Sequence, residues 1–504
     1  MIKTFSPFGY EGSIVTVEVD LRKGLPAIDI VGLADGVVKE TRERMKSAIV
    51  NSGFEVPRER VLIALSPCDL KKEGASFDLP IALAVLAQKD DYPRSQDAEV
   101  LVMGELELSG GVRNIRGVNA ALQTAVSNGI KYAIVPHSDN LEIPKGIKVQ
   151  TVGNLEEAYY ALARIDEYEV NPDDSFFMQN KEPKEEFKIE FNELEEDETS
   201  LDEIKGLNGL KYAMAVAVAG HHNIITWGEH GCGKTTVLQR ITQLLPKLLP
   251  DERASVNRIY SLAGLGTVKD NIRPFRIPHQ TVSLERMCGG GVGCQCGEMS
   301  LAHNGVLFLD EAAEFKCSVL QMTRVPLESK SICLSRAGRS TVFPANFQLV
   351  MATNPCPCGN YGSKDKICLC SMKSIEMYWR KFSAPLLDRV EIRFDCDKDN
   401  SVEFVSLAQL RKMIKDAWER QYQRQGKLNN DLPIEDVATY IKLSDIDTKI
   451  FDNQIEKNGY SPRAIVQIKK MARTFADMNN REEIVTSDLM QAIELHGKLP
   501  IDFE

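Results

Sequence analysis

The chain has 504 residues, 43% of them apolar, which exceeds what one hydrophobic core can bury and predicts two to four globular domains. The opening residues, MIKTFSPFGYEG, lack an apolar signal core, and no run of about 18 apolar residues follows, so the sequence predicts a cytoplasmic protein without a membrane span. The net charge of −11 is concentrated at positions 166–203, which carry 16 acidic residues and three lysines. Because the rest of the chain is slightly basic, the overall charge does not exclude a nucleic-acid partner.

Residues 1–165 alternate short apolar runs with amphipathic segments, as expected of an α/β domain. The apolar runs predict strands at 13–20, 61–65, 100–108 and 132–136. Helical periodicity is typical of the stretches near 36–50, 78–88, 117–128 and 154–163. These residues form the first predicted domain.

The acidic stretch 166–203 combines charge, two prolines and few periodic apolar positions. This composition predicts a mobile linker, with a short helix in LEEDETSLDEIKG as the alternative. From 204 to 395 strands and helices alternate again, which predicts a largely parallel sheet, covered on both faces, with a ligand at the carboxyl ends of its strands. Residues 396–504 show only helical periodicity and predict an all-helical bundle.

A glycine-rich loop between an apolar run and a helix-like segment predicts a nucleotide site. The loop reads GEHGCGKT and consists of Gly228, Glu229, His230, Gly231, Cys232, Gly233, Lys234 and Thr235, followed by Thr236. In such a P-loop the glycines let the backbone wrap a phosphate, Lys234 neutralises the β- and γ-phosphates of ATP, and the Thr235 hydroxyl binds Mg²⁺. Glu229 occupies a free position of the motif, where its charge is expected to weaken ATP binding by repulsion.

A second motif, VLFLDE at 306–311, places two acids directly after four apolar residues. If the apolar residues form a buried strand, Asp310 reaches the magnesium shell at its end. Glu311 then lies where a carboxylate can poise a water molecule for attack on the γ-phosphate. The two motifs together predict ATP hydrolysis.

A P-loop, an acidic strand end, an asparagine after a strand and a helical end of the chain together resemble the AAA+ ATPases. Four strings narrow the resemblance: RPFRIPHQT (273–281), GEMSLAHNGVLFLDEAAEF (297–315), FQLVMATNPCPCG (347–359) and APLLDRVEI (384–392). They are similar to the magnesium-chelatase-like ATPases of the ComM/YifB family, and the resemblance covers essentially the whole chain. It implies a P-loop AAA+ core at 204–395, a helical AAA+ lid at 396–504 and a ring-forming motor, expected to be a homohexamer.

The resemblance implies roles for three further residues. Asn354 stands at the sensor-1 position, which helps to orient the attacking water; a turn-capping asparagine before Pro355 is the alternative. Arg389 stands where these ATPases present an arginine finger to the neighbouring subunit's nucleotide; a surface salt bridge with Asp388 is the alternative. Arg463 stands at the sensor-2 position, with an ordinary helix-start residue as the alternative. A finger supplied by a neighbour means that catalysis needs an oligomer.

Cysteines cluster within the same domain. NPCPCG and ICLC contain Cys356, Cys358, Cys368 and Cys370. Two close pairs of thiolates can bind a tetrahedral ion, and zinc is the predicted occupant, bracing the loop; four reduced thiols are the alternative. A second group of cysteines, Cys288, Cys294 and Cys296, lies in a glycine-rich stretch. We interpret this stretch as a flexible loop that faces the channel of the ring.

Two strings in the first domain, KKEGASFDLP (71–80) and GELELSGGVRNIRGVNAAL (104–122), look like the proteolytic domain of Lon-type proteases, a ribosomal S5 domain 2-like α/β fold. A Lon-type dyad needs a serine nucleophile and a lysine that accepts its proton. Ser76 lies near the serine position, but Asn119 stands where the lysine is expected and cannot act as that base. The resemblance therefore implies the fold without the peptidase, with Ser76 at a helix start and the domain used for subunit packing or substrate guidance.

Two segments are candidates for loops that project into the channel of a ring and move with nucleotide state. One is the glycine-rich insertion at about 283–299, and the other is a predicted hairpin, SICLSRAGRSTVF (331–343). Arg336 and Arg339 flank the predicted turn, where they are positioned to contact a phosphate backbone irrespective of base sequence. A solvated turn is the alternative.

Three functions remain open. The ComM resemblance implies a DNA motor that uses ATP and Mg²⁺ to drive branch migration in recombination or natural transformation. A chelatase-type motor that remodels a protein partner is the second, although chelatase motor subunits lack a Lon-like first domain. ATP-dependent proteolysis is the third, and Asn119 disfavours it.

Overall fold

A computed structural model describes residues 1–32, 36–67, 72, 75–89, 98–170, 178–179, 188–195, 198–291, 293–336, 339–363, 366–398 and 403–500, with the backbone alone at 36–39, 75, 166–170, 179 and 339. The helices and strands form two α/β regions and a helical region, in that order along the chain. Across these residues, no helix combines the length and the apolarity needed to cross a membrane.

The first region contains a mixed sheet. Its strands, with those of a separate hairpin, are β1 (Ile2–Ser6), β2 (Ser13–Arg22), β3 (Ala27–Val31), β4 (Arg60–Ser66), β5 (Val100–Val102), β6 (Glu105–Leu106), β7 (Val112–Arg113), β8 (Tyr132–Pro136), β9 (Lys148–Val152) and β10 (Met178–Gln179). Within the described residues the sheet order is β10-β9-β8-β5-β1-β2-β4-β3, and β6 pairs with β7. The strand predicted at 100–108 is split at Gly104, where a Cβ atom would lie 2.9 Å from Val112 Cγ1.

Helices pack against this sheet. They are α1 (Gly36–Asn51), α2 (Asp78–Lys89), α3 (Val118–Ser127) and α4 (Leu155–Val170). The sequence of α2 is apolar on all sides, and the helix is buried from Asp78 to Ala87 at the centre of the region. The alternation of β4 buries Val61, Ile63 and Leu65 against it. The four predicted helices therefore occur close to their expected positions.

The second region contains a parallel sheet. Its elements are α5 (Asn208–Gly220), β11 (Ile224–Trp227), α6 (Lys234–Gln239), α7 (Pro250–Ala263), β12 (Phe275–Arg276), α8 (Leu284–Cys288), β13 (Gly289–Gly290), β14 (Gln295–Cys296), α9 (Glu298–Leu301), β15 (Val306–Leu309), α10 (Cys317–Met322), α11 (Arg324–Ser329), β16 (Ser331–Arg336), β17 (Arg339–Pro344), β18 (Gln348–Thr353), α12 (Met372–Trp379), α13 (Ala384–Leu387) and β19 (Ile392–Asp395). The sheet order in the described part is β12-β15-β18-β11-β19, and each neighbouring pair is parallel. The carboxyl ends of β11, β15 and β18 therefore meet at one edge.

The last region is helical, as the sequence predicts. Its helices are α14 (Leu407–Gln425), α15 (Ile434–Tyr440), α16 (Asp445–Asn458), α17 (Pro462–Met478) and α18 (Thr486–Leu495). The buried face of α17 packs with α14, and Trp418 Nε1 on α14 donates to the Val218 carbonyl of α5 at 3.1 Å. Asp477 is fully buried and pairs with Arg424 at 2.7 Å and Arg473 at 3.0 Å. The helical region and the parallel sheet consequently share one apolar core.

The end of the predicted acidic linker packs on this core. Ile189 and Leu201 are 3% and 1% exposed, and the Phe191 ring lies 5.3 Å from the Arg411 guanidinium. Leu201 N donates to the buried Gln243 side chain at 2.9 Å. The expectation of a mobile linker is therefore wrong for 188–195 and 198–203, because apolar residues spaced among the acids are sufficient to hold these segments on the core.

A loop of the first region joins it to the second. The Arg258 guanidinium of α7 lies 5.0 Å from the Tyr10 ring and donates to the carbonyl oxygens of Tyr10 and Glu11 at 3.0 and 2.8 Å. Tyr10 N donates to Thr341 Oγ1 at 3.0 Å, and its ring meets Phe343 edge-on at 5.9 Å. The first region is thereby attached to both α7 and β17.

Candidate active site

The glycine-rich loop lies between β11 and α6 and surrounds the amino group of Lys234. Its Nζ donates to the carbonyl oxygens of Gly228 at 2.8 Å and Glu229 at 2.9 Å. The same atom lies 3.3 Å from Asn354 Oδ1 at the end of β18. The structure therefore brings together the predicted P-loop lysine and the predicted sensor asparagine, which are 120 positions apart in the sequence.

Three motif glycines are required by the loop geometry. Gly231 and Gly233 have φ angles of 84° and 94°, in the left-handed region that favours glycine. A Cβ atom at Gly228 would lie 2.8 Å from Cys396 Cβ, which is too close for a side chain. The backbone of the loop can take this path only because these positions carry no side chain.

The variable positions of the loop contact the residues that follow β19. Glu229 N donates to Asp397 Oδ1 at 3.0 Å. A hydrogen bond with the Cys396 thiol and the nearby Lys234 ammonium lower the pKa of Cys232 to about 6. The sequence offered no signal for this contact, because Cys396 and Asp397 follow a strand whose position in the sheet only the structure reveals.

The predicted magnesium ligands are adjacent. Thr235 Oγ1 donates to Asp310 Oδ1 at 3.0 Å, and the same oxygen accepts from Glu311 N at 3.0 Å. Glu311 itself has φ 47° and ψ 48°, a left-handed backbone that is uncommon for a residue other than glycine. A hydroxyl and a carboxylate in contact are the donor set that Mg²⁺ prefers, so these residues fit that ion.

A cavity of about 280 Å³ joins these groups. Its walls consist of His230, Gly231, Gly233, Lys234, Thr235, Thr236, Asp310, Glu311, Ala352, Thr353 and Asn354. A lysine, two carboxylates and an asparagine thus face a single space beside a loop of backbone amides. This arrangement can bind a polyphosphate and activate water beside it.

Gln280 is a site residue that sequence reasoning missed. Its Nε2 donates to Glu311 Oε2 at 2.5 Å. The residue lies in the string RPFRIPHQT, just after β12, which is the sheet neighbour of β15. A polar side chain after that strand was the available signal, but it gave no indication of which strand would be its neighbour.

Arg389 and Arg463 lie together, away from the cavity. Arg389 Nη2 contacts Glu328 Oε2 at 2.6 Å, and Arg463 Nη2 contacts Glu328 Oε1 at 3.2 Å. Neither arginine is among the described residues that line the cavity. Arg389 forms its salt bridge with Glu328. The adjacent Asp388, which the alternative interpretation of the sequence gave as its partner, does not form that bridge.

The four cysteines of the predicted metal site converge. Their Sγ atoms all lie within 4.8 Å of one another, and Cys356 Sγ is 3.4 Å from Cys358 Sγ and 3.7 Å from Cys368 Sγ. Zinc–sulfur bonds of about 2.3 Å in a tetrahedron separate the sulfurs by roughly 3.8 Å, so Cys370 and its three neighbours fit a zinc ion. In the described part of the chain, no other cluster of histidine, cysteine or acidic side chains meets this criterion.

The second cysteine group and the predicted hairpin form short antiparallel ladders. Gly289 pairs with Cys296 between β13 and β14, and burial raises the pKa of the Cys288 and Cys296 thiols to about 11. Arg336 pairs with Arg339 across β16 and β17, as the predicted turn requires, and the Arg336 side chain is exposed. The turn residues 337–338 and the side chain of Arg339 lie outside the described residues.

Ser76 and Asn119 line one cavity of about 710 Å³ between the first and second regions. Asn119 Nδ2 donates to the Asn140 carbonyl at 3.0 Å, and its Oδ1 accepts from Glu142 N at 3.1 Å. Both ends of the amide are thus used to hold the 140–142 segment. No lysine is among the described residues that line this cavity.

Family models for a magnesium chelatase subunit match most of the chain. "Subunit ChlI of Mg-chelatase" matches residues 17–139, "Magnesium chelatase, subunit ChlI" matches residues 200–404, and its "C-terminal" model matches residues 405–496. The first domain is also similar to the archaeal Lon protease of Methanocaldococcus jannaschii, with 27% identity over 129 residues, or 25% of this chain and 20% of that protease.

Several relatives match over nearly their whole length, among them two that differ in name. The uncharacterized protein YifB of Escherichia coli K12 is 34% identical over 510 residues, covering 98% of this chain and 96% of that protein. The competence protein ComM of Haemophilus influenzae is 34% identical over 495 residues, covering 96% of this chain and 95% of that protein. These matches confirm the predicted fold class: a Lon-like α/β domain, an AAA+ α/β core and a helical lid.

Proposed function

This chain belongs to the ComM/YifB family of magnesium-chelatase-like AAA+ ATPases, and from that premise we propose that it is a ring-forming motor that moves along DNA and drives branch migration. The observation that supports the ring most is a division of the hydrolytic groups. Lys234, Asp310 and Asn354 face one cavity, whereas Arg389 and Arg463 lie elsewhere on the same chain. A site divided in this way is completed by a second copy, and six copies are the number that the family resemblance implies.

The groups around the cavity bind ATP and position water. Loop amides and Lys234 hold the β- and γ-phosphates, and Thr235 with Asp310 holds Mg²⁺, which offsets phosphate charge when bound. Glu311 accepts a proton from the attacking water, and Asn354, next to the Lys234 amino group, orients that water. Cys232 contributes its backbone amide.

The neighbouring subunit supplies Arg389 and Arg463. A guanidinium held against the γ-phosphate stabilises the charge that develops on its oxygens, an effect worth orders of magnitude in rate. Because the finger arrives only with a neighbour, the isolated chain hydrolyses ATP slowly. Assembly and catalysis are therefore linked.

DNA is the proposed track. Arg336 is exposed beside the turn of the β16–β17 hairpin, where a guanidinium can contact phosphates without reading bases. One full-length relative carries the name competence protein, which favours DNA over a protein substrate. The first domain, whose Asn119 replaces a catalytic lysine, guides or covers the hairpin and cleaves nothing.

Cys356, Cys358, Cys368 and Cys370 hold a structural zinc ion that braces the loop after Asn354.

The test compares ATP hydrolysis and strand displacement with and without forked or four-way DNA. We expect DNA to stimulate hydrolysis several-fold and the labelled strand to be displaced. Lys234→Ala should abolish both activities by removing the phosphate-binding amine, and Glu311→Gln should retain ATP binding but lose hydrolysis. If ATP hydrolysis does not respond to DNA, the result favours an ATPase that acts on a protein partner. Casein cleavage that is lost in Ser76→Ala would favour an ATP-dependent protease instead.

A further inference from the structure

One carboxylate holds both arginines that the neighbouring subunit needs. Glu328 lies near the end of α11, 61 positions before Arg389 and 135 before Arg463. Its two oxygens are divided between them, Oε2 on Arg389 at 2.6 Å and Oε1 on Arg463 at 3.2 Å. An arginine from the sheet region and an arginine from the lid are thereby joined at a single acid.

Arg389 is held from a second side. Its Nη1 donates to the Pro385 carbonyl at 2.5 Å, and the side chain is only 12% exposed. Its buried Nε has no hydrogen-bond partner among the described residues, so the guanidinium retains an unused donor. The Glu328 and Pro385 contacts fix the plane of the guanidinium, which matters for a group that recognises phosphate through a planar fork.

Arg463 is less constrained. Its side chain is 37% exposed, and Glu328 is the acid with which it pairs in the described part of the chain. Two guanidiniums that share a carboxylate leave a net charge of about +1 on that surface, which still attracts a phosphate. Without the carboxylate the two cations would repel each other, and the more exposed Arg463 would move away.

The two arginines favour the ionised form of Glu328. A hydrogen bond from Arg389, helped by the charge of both arginines, lowers the pKa of Glu328. An isolated surface ion pair contributes little to the stability of the fold. The importance of Glu328 is therefore that it fixes the positions of Arg389 and Arg463 relative to each other.

We propose that Glu328 is a positioning residue that holds Arg389 and Arg463 side by side, so that both reach the γ-phosphate of ATP bound by the neighbouring subunit. This inference rests on the proposed ring ATPase. Glu328 does not touch the nucleotide. It fixes the relative position of two groups that do, and it couples the lid to the sheet region at the subunit boundary.

The primary test is Glu328→Gln, which preserves size and one acceptor oxygen but removes the charge. We expect kcat for ATP to fall about tenfold with little change in KM, because the arginines act on the transition state of the neighbouring site. Glu328→Asp, which keeps the charge, should recover part of the loss. Glu376→Gln removes the acid of a comparable exposed pair, Glu376 with Arg380 at 2.6 Å, and should behave as the unsubstituted protein.

A second test separates positioning from folding. Rings are co-assembled from Lys234→Ala subunits, which supply the arginines, and Arg389→Ala subunits, which supply the P-loop. Added to the Lys234→Ala subunit, Glu328→Gln should reduce hydrolysis about tenfold; added to the Arg389→Ala subunit, it should change nothing. Equal effects in both subunits, or no effect in either, would overturn the inference. Failure of the unsubstituted ring to hydrolyse ATP would instead refute the proposed function.

Discussion

At the scale of single residues, Glu311 is held by a partner 31 positions away in the sequence. The 2.5 Å bond from Gln280 Nε2 fixes one oxygen of Glu311, which is otherwise an exposed side chain with several rotamers. A base that must meet water beside the γ-phosphate loses efficiency when its carboxylate is displaced by even 1 Å. We therefore expect Gln280 to determine how often Glu311 is in a productive position.

Gln280→Ala removes this donor and should lower kcat for ATP by about tenfold, since a mobile carboxylate is rarely aligned with the attacking water. Nucleotide affinity should be retained because no loop contact is lost. Steady-state kinetics with a fluorescent nucleotide titration measures both. Gln295→Ala, at an exposed position of β14, is the matched control. An unchanged or higher kcat in Gln280→Ala would contradict this role.

The candidate residues that the structure brings to one cavity are those next to a strand end. Lys234, Asp310 and Asn354 each follow an apolar run, and parallel strands bring such ends to one edge. Gln280 and Glu328 were not predicted because their partners are 31 and at least 61 positions away, and no local pattern specifies that distance. Their roles depend on which strands and helices are neighbours.

At the scale of elements, the four-cysteine loop connects the sensor strand to α12. Cys356 is fully buried, and the Pro355 carbonyl accepts from Trp379 Nε1 at 3.0 Å, so the start of the loop is part of the core. Ile367 and Leu369, between the ligands, are 82% and 89% exposed, so apolar burial does not hold the far end. We propose that a metal ion supplies the missing constraint.

Purified protein should contain about one zinc ion per chain, bound by four thiolates. Cys368→Ser should lower the zinc content and reduce the melting temperature by several degrees, because the loop loses its cross-link. Elemental analysis and thermal unfolding measure the two effects. Cys333→Ser, at an exposed position on β16, should change neither. A metal-free protein with the same melting temperature would refute the zinc site.

At the scale of the whole molecule, the divided site has a consequence for mixed rings. Lys234→Ala and Arg389→Ala rings should each be inactive, the first without phosphate binding and the second without a finger. In rings co-expressed from both variants, about a quarter of the sites should combine an intact P-loop with an intact neighbouring arginine. Hydrolysis should return to that fraction. Mixed rings that form but remain inactive would show that Arg389 acts within its own chain.

The order of domains was predictable, whereas their attachment was not. Strand and helix periodicity, the P-loop and the family strings indicate which regions are α/β and which region is helical. The buried Ile189 and Leu201 lie in a stretch whose charge predicts a linker, since a few apolar residues are sufficient for docking once a core offers a surface. Composition averages over such positions and cannot reveal them.

The contact between Tyr10 and the β16–β17 hairpin bears on what the first domain does for the rest of the chain. Within the described part of the chain, the hydrogen bonds of the Arg258 guanidinium go to the first domain, and Phe343 is 1% exposed with Tyr10 against its edge. Deleting the domain would leave a partly buried cation unpaired and an aromatic ring open to water. The second region is thus not self-sufficient. The first domain provides part of the surface against which the β16–β17 hairpin packs.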